Sequence, residues 1–143
     1  MKRLAVALLL AACLEPGTSL YDRADAVAPR VLFESCEPRI LGGDAGVPNV
    51  GPAQTIKLVF SEPMDQDSLR PGIVVRINPE RNEIPLIIQA PPTAGASYEV
   101  RILPAEGTYR DATYTMQLRT LLIDVAGNPI ADGPELTGFF RVQ

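Results

Sequence analysis

Residues 113–119, with the sequence TYTMQLR, alternate strictly between polar and apolar side chains. In an extended segment, Tyr114, Met116 and Leu118 would share one face, and the polar residues would share the other. A helix would scatter the two sets around its circumference, because its side chains repeat every 3.6 residues. The stretch therefore predicts a β-strand with one face against a core and the other toward solvent.

Six further short runs show the same strand character, and turn-forming residues separate them. Residues 98–102 alternate most cleanly, with Glu99 and Arg101 opposite the apolar face. The other runs, with their apolar residues, are 30–35 (Val31, Leu32, Phe33), 55–60 (Ile56, Leu58, Phe60), 72–77 (Ile73, Val75, Ile77), 83–89 (Ile84, Leu86, Ile88) and 137–142 (Phe139, Phe140). Residues 42–52, GGDAGVPNVGP, predict a turn-rich connection.

Proline and glycine, 14 and 11 of the 143 residues, punctuate the whole chain and favour many short elements. No segment shows a convincing helical period, although residues 63–69 could form one helical turn. Pro85 has no N–H to donate to a neighbouring strand, so the run 83–89 is predicted to lie at a sheet edge or to contain a bulge. Together these patterns predict an all-β fold, an antiparallel β-sandwich of about seven strands over residues 28–143.

The first thirteen residues carry an export pattern. Lys2 and Arg3 precede an unbroken apolar run over residues 4–12, which is too short to span a bilayer. A buried N-terminal helix or strand is the weaker alternative. Residues 10–13, LAAC, resemble the lipobox of bacterial lipoproteins. That resemblance implies a signal peptide over residues 1–12 and a lipid on the sulfur of Cys13.

The same resemblance implies where the protein resides. Residues 13–27 would form the lipidated N-terminus and a tether, and two or three acyl chains would hold the protein stably on a membrane. The expected location is the cell envelope. Leu14 after the cysteine, in place of an aspartate, leans toward the outer membrane.

The chain has two cysteines. If Cys13 carries lipid, Cys36 has no partner within the chain and would be a small buried hydrophobe or an unpaired thiol. The alternative is a Cys13–Cys36 disulfide in an oxidising compartment. Glu34 and Glu37 flank Cys36, and their negative charge predicts a raised thiol pKa.

Composition excludes several classes of function. The chain has no histidine, which removes Ser-His-Asp and Cys-His centres and histidine metal sites. The net charge is −4, and loss of residues 1–12 with their two basic residues makes it −6. An acidic chain without a basic stripe predicts no nucleic-acid partner.

The sequence also contains no pattern typical of an enzyme. It has no glycine-rich phosphate loop after a strand, no G-x-S-x-G and no C-x-x-C. The carboxylate pairs Asp65/Asp67 and Glu80/Glu83 are candidates for acid–base chemistry, but such pairs on turns are usually only solvated. We therefore predict that the protein is not an enzyme.

Two segments are more specific than the strand pattern: residues 60–69, FSEPMDQDSL, and residues 122–130, LIDVAGNPI. Together they resemble the SbsA-type bacterial Ig-like domain first described in S-layer proteins, over roughly residues 29–143. The match continues in residues 114–128 and in the phenylalanines of the last strand. The resemblance implies a seven-stranded Ig-like sandwich of the kind found in stalks and adhesion modules.

These two motifs have a structural interpretation as turns. Asp65 and Asp67 can accept hydrogen bonds from free backbone N–H groups, and Asp124 can form an Asx turn. Gly127 or Asn128 can adopt a positive φ. The remaining residues assigned to these turn motifs are Phe60, Ser61, Glu62, Pro63, Met64 and Pro129.

The sharper interpretation of the motifs is calcium. In an Ig-like sandwich the two loops would lie at the same end, which would bring Glu62, Asp65 and Asp67 near Asp124 and Asn128. Their oxygens could together hold Ca²⁺, the one cofactor that the sequence suggests.

The predicted function is that of a lipid-anchored cell-envelope protein whose single Ig-like module contacts another envelope protein or a glycan. The alternatives are a structural spacer without a specific ligand and a calcium-stabilised module.

Overall fold

The computed structural model describes residues 26–91, 98–131 and 136–143. Seven strands form two sheets in these ranges, with strand order β1-β7-β6-β3 in one and β2-β5-β4 in the other. The elements are β1 (Asn49–Val50), β2 (Ile56–Phe60), α1 (Gln66–Gly72), β3 (Ile73–Asn78), β4 (Leu86–Gln89), β5 (Tyr98–Pro104), β6 (Ala112–Leu118) and β7 (Thr137–Val142). The predicted all-β Ig-like sandwich is confirmed.

Alternation along the strands builds the core. In β6, Tyr114, Met116 and Leu118 are buried between the sheets, as their spacing predicts. In β2, the side chains of Ile56 and Phe60 have no exposed surface. The antiparallel ladders β3–β6 and β2–β5 hold these faces in register. The core is therefore a layer of aliphatic and aromatic side chains, one face from each sheet.

The predicted strand over residues 30–35 is wrong. Val31 makes an isolated bridge to Phe60 and Glu37 another to Lys57, and a 3₁₀ turn, Phe33–Ser35, lies between them. Val31 and Glu37 are six positions apart, whereas their partners Phe60 and Lys57 are three positions apart. The surplus residues must therefore loop out of the pairing. This segment nevertheless covers the outer edge of β2.

The turn-rich connection over residues 42–52 contains a strand that the sequence did not predict. β1 pairs in parallel with the end of β7, Asn49 opposite Arg141 and Val50 opposite Val142. The sandwich is therefore not wholly antiparallel. Two residues of strand among glycines and prolines are too few to show an alternating pattern.

The helical turn predicted at residues 63–69 lies three residues further along the chain, as the seven residues of α1. Within the described ranges, no helix has the length and apolar character needed to cross a bilayer. The predicted edge position of the run around Pro85 is confirmed, because β4 begins after this proline and, among the described strands, pairs with β5 alone.

The two ends of the sandwich differ. One end carries the loops 61–65 and 119–131 together with α1, and we call it the motif end. The opposite end carries the loops 79–85 and 105–111, and we call it the far end. The strand registers set this division, because Phe60, Tyr98 and Leu118 lie at the motif end, and Asn78 and Ala112 lie at the far end.

Candidate functional site

The two sequence motifs lie side by side at the motif end. Met64 and Asp124 form an isolated antiparallel bridge. The backbone N–H of Asp65 donates to the carbonyl of Ile123 at 3.0 Å, and that of Val125 donates to the carbonyl of Pro63 at 3.2 Å. The expectation that the fold brings these loops together is confirmed.

Asp65 caps α1. Its Oδ1 accepts a hydrogen bond from the backbone N–H of Ser68 at 3.0 Å, which satisfies one of the free donors of the first turn. The Ser68 hydroxyl donates to the Asp65 carbonyl at 2.7 Å and accepts from the backbone N–H of Ile123 at 3.2 Å. Ser68 thus joins the cap of the helix to the second motif, a role that the sequence did not suggest.

Asp124 organises the second motif from within. Its side chain is buried, with the residue 1% exposed. Oδ1 accepts from the backbone N–H groups of Ala126 and Asn128, both at 2.8 Å, and Oδ2 accepts from Nδ2 of Asn128 at 2.9 Å. Gly127 takes a φ of +90°, which completes the turn. The Asx-turn interpretation of this motif therefore agrees with the geometry.

The calcium hypothesis rests on the same side chains. The carboxylate oxygens of Asp65 and Asp124 already accept hydrogen bonds from N–H donors of the protein. Asp67 is exposed in the first turn of α1. Over the described ranges, no three acidic or cysteine side chains group so that they could hold a metal ion. Calcium binding by Asp65, Asp67, Asp124 and Asn128 stays a prediction.

A cleft opens at the far end, where no site was predicted. It encloses about 230 Å³ between the loops 79–85 and 105–111. Its lining combines an apolar set with a polar rim: Ile77, Ile84, Pro85, Pro104, Tyr109 and Tyr114, then Glu80, Asn82, Glu83, Glu106, Thr108 and Arg110. Ligand sites commonly combine apolar walls with a few polar groups, and this one is below the roughly 300–1,000 Å³ of sites for drug-sized ligands.

Two tyrosines of the cleft differ in how their hydroxyls are satisfied. The Tyr114 hydroxyl donates to the carbonyl of Arg110 at 3.1 Å and accepts from its N–H at 2.9 Å, the arrangement of an Ig-type tyrosine corner. Tyr109 is 4% exposed, and its hydroxyl has no partner among the described residues. Burial raises the pKa of both phenols.

The rings of these tyrosines pack with one core phenylalanine. Tyr109 meets Tyr114 and Phe140 edge to face, at centroid distances of 5.4 and 5.5 Å, and Tyr114 stacks on Phe140 at 5.0 Å. Such arrangements suit the quadrupoles of aromatic rings. These ring contacts fix the positions of the Tyr109 and Tyr114 side chains in the cleft.

The rim of the cleft combines carboxylates with arginines. Glu83 Oε1 accepts from Arg76 at 2.9 Å and from Arg119 at 2.6 Å. The hydrogen bond from Arg76, with a further contribution from Arg119, lowers the pKa of the Glu83 carboxyl. Glu80 and Glu106 contribute two more carboxylates, and Arg110 is the single cation among the lining residues.

Sequence reasoning missed Tyr109 and the cleft. Tyr109 lies in the loop AEGTYRD between two strand runs, where a polar loop would not need a large aromatic residue. That isolated aromatic residue is the one signal that could have indicated the site. Glu80 and Glu83 were considered only as a solvated pair, because their placement beside the β5–β6 loop depends on the tertiary fold.

The two cysteines have different outcomes. Cys36 is a free, buried thiol whose Sγ donates to the carbonyl of Leu32 at 3.5 Å. Burial raises its thiol pKa, so the predicted direction holds, but burial and not the flanking Glu34 and Glu37 is the cause. Cys13, the predicted lipidation site, lies outside the described residues.

Comparison with known proteins places this fold in a family. The fold is similar to "Structure of surface layer protein SbsC, domains 1-6", with a TM-score of 0.50 and 15% identity, over 81% of this chain and 14% of that one. At that identity the likeness concerns the fold alone. The comparison with curated proteins finds no match. The family model described as bacterial Ig-like domain matches residues 38–140. The chain therefore belongs to the bacterial Ig-like domain family.

Proposed function

We propose that the protein is a lipid-anchored module of the cell envelope that holds its Ig-like domain away from the membrane and presents the far end to a partner. Membership of the bacterial Ig-like family and the likeness to a surface layer protein support an envelope role. The lipobox-like residues 10–13 support the anchor at Cys13.

One observation carries the proposal: the N-terminal segment enters the sandwich at the motif end. The carbonyl of Pro29 accepts from the N–H of Ala131 at 2.9 Å, and the N–H of Arg30 donates to the hydroxyl of Ser61 at 3.0 Å. A lipid at Cys13 therefore pulls the motif end toward the membrane. The fifteen residues between Cys13 and Pro29 reach at most about 50 Å when extended.

The far end then points away from the lipid. It carries the cleft and the end of β7, where Val142 pairs with Ala112. Loops at one end of a sandwich are a usual place for recognition, because the sheets position them rigidly while their sequences remain free to vary. An envelope partner, such as a protein or a glycan, would meet the domain there.

The anchor is tested by metabolic labelling. The full chain is expressed in a Gram-negative host with radiolabelled palmitate, beside Cys13→Ala and, as the matched control, Cys36→Ala. We expect label on the wild type and on Cys36→Ala but none on Cys13→Ala, with the label following the membrane fraction. Equal absence of label from all three chains would refute the anchor.

The orientation is tested on lipidated protein reconstituted in vesicles, in a Cys36→Ala background. Thr108→Cys places a thiol at the far end, and Val125→Cys places one at the motif end, both at exposed positions. A bulky maleimide should label residue 108 faster than residue 125 in vesicles and at similar rates in detergent. Faster labelling at residue 125 in vesicles would contradict the proposed orientation.

A further inference from the structure

We infer that the free edge of β4 pairs with the same edge of a second copy of the chain, antiparallel and with Ile87 opposite its own copy. The pair continues the β2-β5-β4 sheet into the second molecule across a two-fold axis. This surface lies along the side of the sandwich and is separate from the far end. The pairing depends on the folded domain and not on the lipid anchor.

The backbone of β4 is paired on one side only within the described part of the chain. β4 pairs with β5, and the carbonyl of Pro85 accepts from the N–H of Ala105 at 2.9 Å. Residues of an antiparallel strand point their backbone groups alternately to its two sides, so Leu86 and Ile88 direct theirs away from β5. Those N–H and C=O groups meet no backbone partner among the described residues. Such an edge is a template for another strand.

The edge of β4 lacks the features that usually prevent strand addition. Residues 84–98 contain no charged side chain, whereas natural edge strands commonly carry a lysine or another charge that opposes pairing. The outer edges of β2 and β3 are instead partly covered. Val31 and Glu37 form bridges to β2, and the N–H of Ile84 donates to the carbonyl of Val75 in β3 at 3.0 Å. Of these three edges, β4 is the one that stays open.

Symmetry sets the register of the pair. In a two-fold dimer each contact is repeated with the copies exchanged, and hydrogen-bonded pairs join residues whose backbone groups point outward. Placing Leu86 of each copy opposite Ile88 of the other uses both outward residues of β4 and none outside it. Ile87 then lies on the axis in a non-hydrogen-bonded pair, where side chains approach most closely. It is 44% exposed, and pairing would remove this apolar surface from water.

The charges beside β4 are complementary in this arrangement. Asp67 and Arg70 line the groove beside β4 toward the motif end, and they are exposed and form no ion pair with a described residue. Toward the far end, Glu83 is shared by Arg76 and Arg119. Antiparallel pairing brings opposite ends of the two grooves together, so Asp67 approaches the arginines and Arg70 approaches the carboxylate. This local attraction favours a second copy as the partner although the chain has a net charge of −4.

Pairing is tested by analytical ultracentrifugation of the full chain in an excess of detergent micelles. We expect a monomer–dimer equilibrium with dimers detectable below about 1 mM, as for a small transient interface. Ile87→Lys places two lysines opposite each other on the axis and should weaken pairing at least about tenfold. Phe139→Lys is the matched control, because Phe139 is 46% exposed on the outer face of the other sheet, and it should pair as the wild type does.

Mixed variants test the register. Ile87→Lys and Ile87→Glu should each pair weakly, and an equimolar mixture should recover pairing, because residue 87 of one copy meets residue 87 of the other. Circular dichroism checks that both variants fold. A wild type that stays monomeric at about 1 mM would overturn the inference and leave the open edge to a strand of a different protein. Equal pairing of wild type and Ile87→Lys, or no recovery in the mixture, would also overturn it.

The anchor and the pairing are joined in a vesicle experiment. Antiparallel pairing places the two motif ends at opposite ends of the dimer, so anchored copies pair most readily between facing membranes. Vesicles that carry the lipidated wild type should therefore aggregate, as measured by light scattering, and vesicles that carry Ile87→Lys should stay separate. Pairing in micelles without aggregation of vesicles would refute only the proposed orientation.

Failure of this inference can be told apart from failure of the anchor. Cys13→Ser chains, which cannot carry the lipid, should pair as the wild type does. Normal lipidation without pairing refutes only the β4 contact, and normal pairing without lipidation refutes only the anchor.

Discussion

The backbone carbonyl of Ile40 occupies the space that a Cβ atom would need on Gly138. Gly138 lies in β7 opposite Met116, and residue 40 crosses directly over it. Ile40 and Leu41 are each 1% exposed, so this crossing segment forms part of the core. Glycine at position 138 therefore lets a non-strand segment pack against the backbone of a central strand.

Gly138→Ala should destabilise the domain strongly. The new methyl group overlaps backbone, which cannot rotate away, so either β7 or residues 39–41 must shift. We expect a loss of about 2–4 kcal/mol in the free energy of unfolding, measured by urea denaturation. Gly51→Ala is the control, because its Cβ meets only ordinary contacts at 3.6 Å or more. A change in Gly138→Ala as small as that of the control would contradict the close approach.

The two far-end tyrosines should respond in opposite ways to loss of the hydroxyl. Tyr114→Phe removes both hydrogen bonds to the Arg110 backbone and leaves the Arg110 N–H without the hydroxyl as its acceptor. We therefore expect a loss of about 1–2 kcal/mol in the free energy of unfolding. Tyr109→Phe removes a hydroxyl that has no partner, so stability should stay unchanged or rise slightly. Thermal denaturation of both variants beside wild type measures the difference. A marked loss in Tyr109→Phe would show that its hydroxyl has a partner.

Asp124→Ala should unfold the motif end. Three N–H donors on Ala126 and Asn128 lose their acceptor in a buried turn, and we expect a loss of about 2–4 kcal/mol. Asp111→Ala, an exposed carboxylate at the far end, should change stability by less than about 0.5 kcal/mol.

The same variants test calcium. If the motif end binds Ca²⁺, the midpoint of thermal unfolding of the wild type rises with added Ca²⁺ and falls with a chelator, and Asp124→Ala loses that response. If Asp124 acts only as a hydrogen-bond acceptor, added Ca²⁺ leaves the midpoint of thermal unfolding unchanged in both the wild type and Asp124→Ala. The geometry favours the second outcome, since Asp124 already accepts three hydrogen bonds.

Strands whose apolar and polar residues alternate regularly could be predicted from the sequence. Segments that cross over a sheet without pairing, such as residues 39–41 over β7, could not. β5 and β6 are seven residues long, and the three buried positions of β6, Tyr114, Met116 and Leu118, were identified. For Phe139 and Phe140, the apolar character of the residues alone did not predict which side chain is buried. Phe140 is fully buried, whereas Phe139, one residue earlier, is 46% exposed on the outer face of β7. A period-two structure must send one of two adjacent phenylalanines outward.

Segments that pair irregularly carried no periodic signal. Residues 30–35 look like a strand because Val31, Leu32 and Phe33 are apolar and consecutive. The register against β2 requires them to bulge, and that register is a property of both segments together. The cleft was missed for the same reason, since its two walls are loops about 25 residues apart in sequence that the β5 and β3 ladders bring to one end.

Alkaline pH should destabilise the domain through three buried acids. Burial raises the pKa values of Cys36, Tyr109 and Tyr114. Each folded group therefore keeps its proton at a pH where the unfolded chain has lost it. Their contribution to stability is complete below the ordinary pKa values, about 8.5 for cysteine and 10 for tyrosine, and is lost as pH rises toward the folded values.

The slope of that loss identifies the groups. Each acid that is ionised only in the unfolded state lowers the free energy of unfolding by about 1.4 kcal/mol per pH unit. Urea denaturation from pH 8 to 11 should therefore show a decline that begins near the cysteine value and steepens above about pH 10. Tyr109→Phe removes one such group without removing a hydrogen bond, so its decline above pH 10 should be shallower. Identical slopes for Tyr109→Phe and wild type would mean that Tyr109 ionises in the folded state as readily as in the unfolded chain, and that its hydroxyl reaches water.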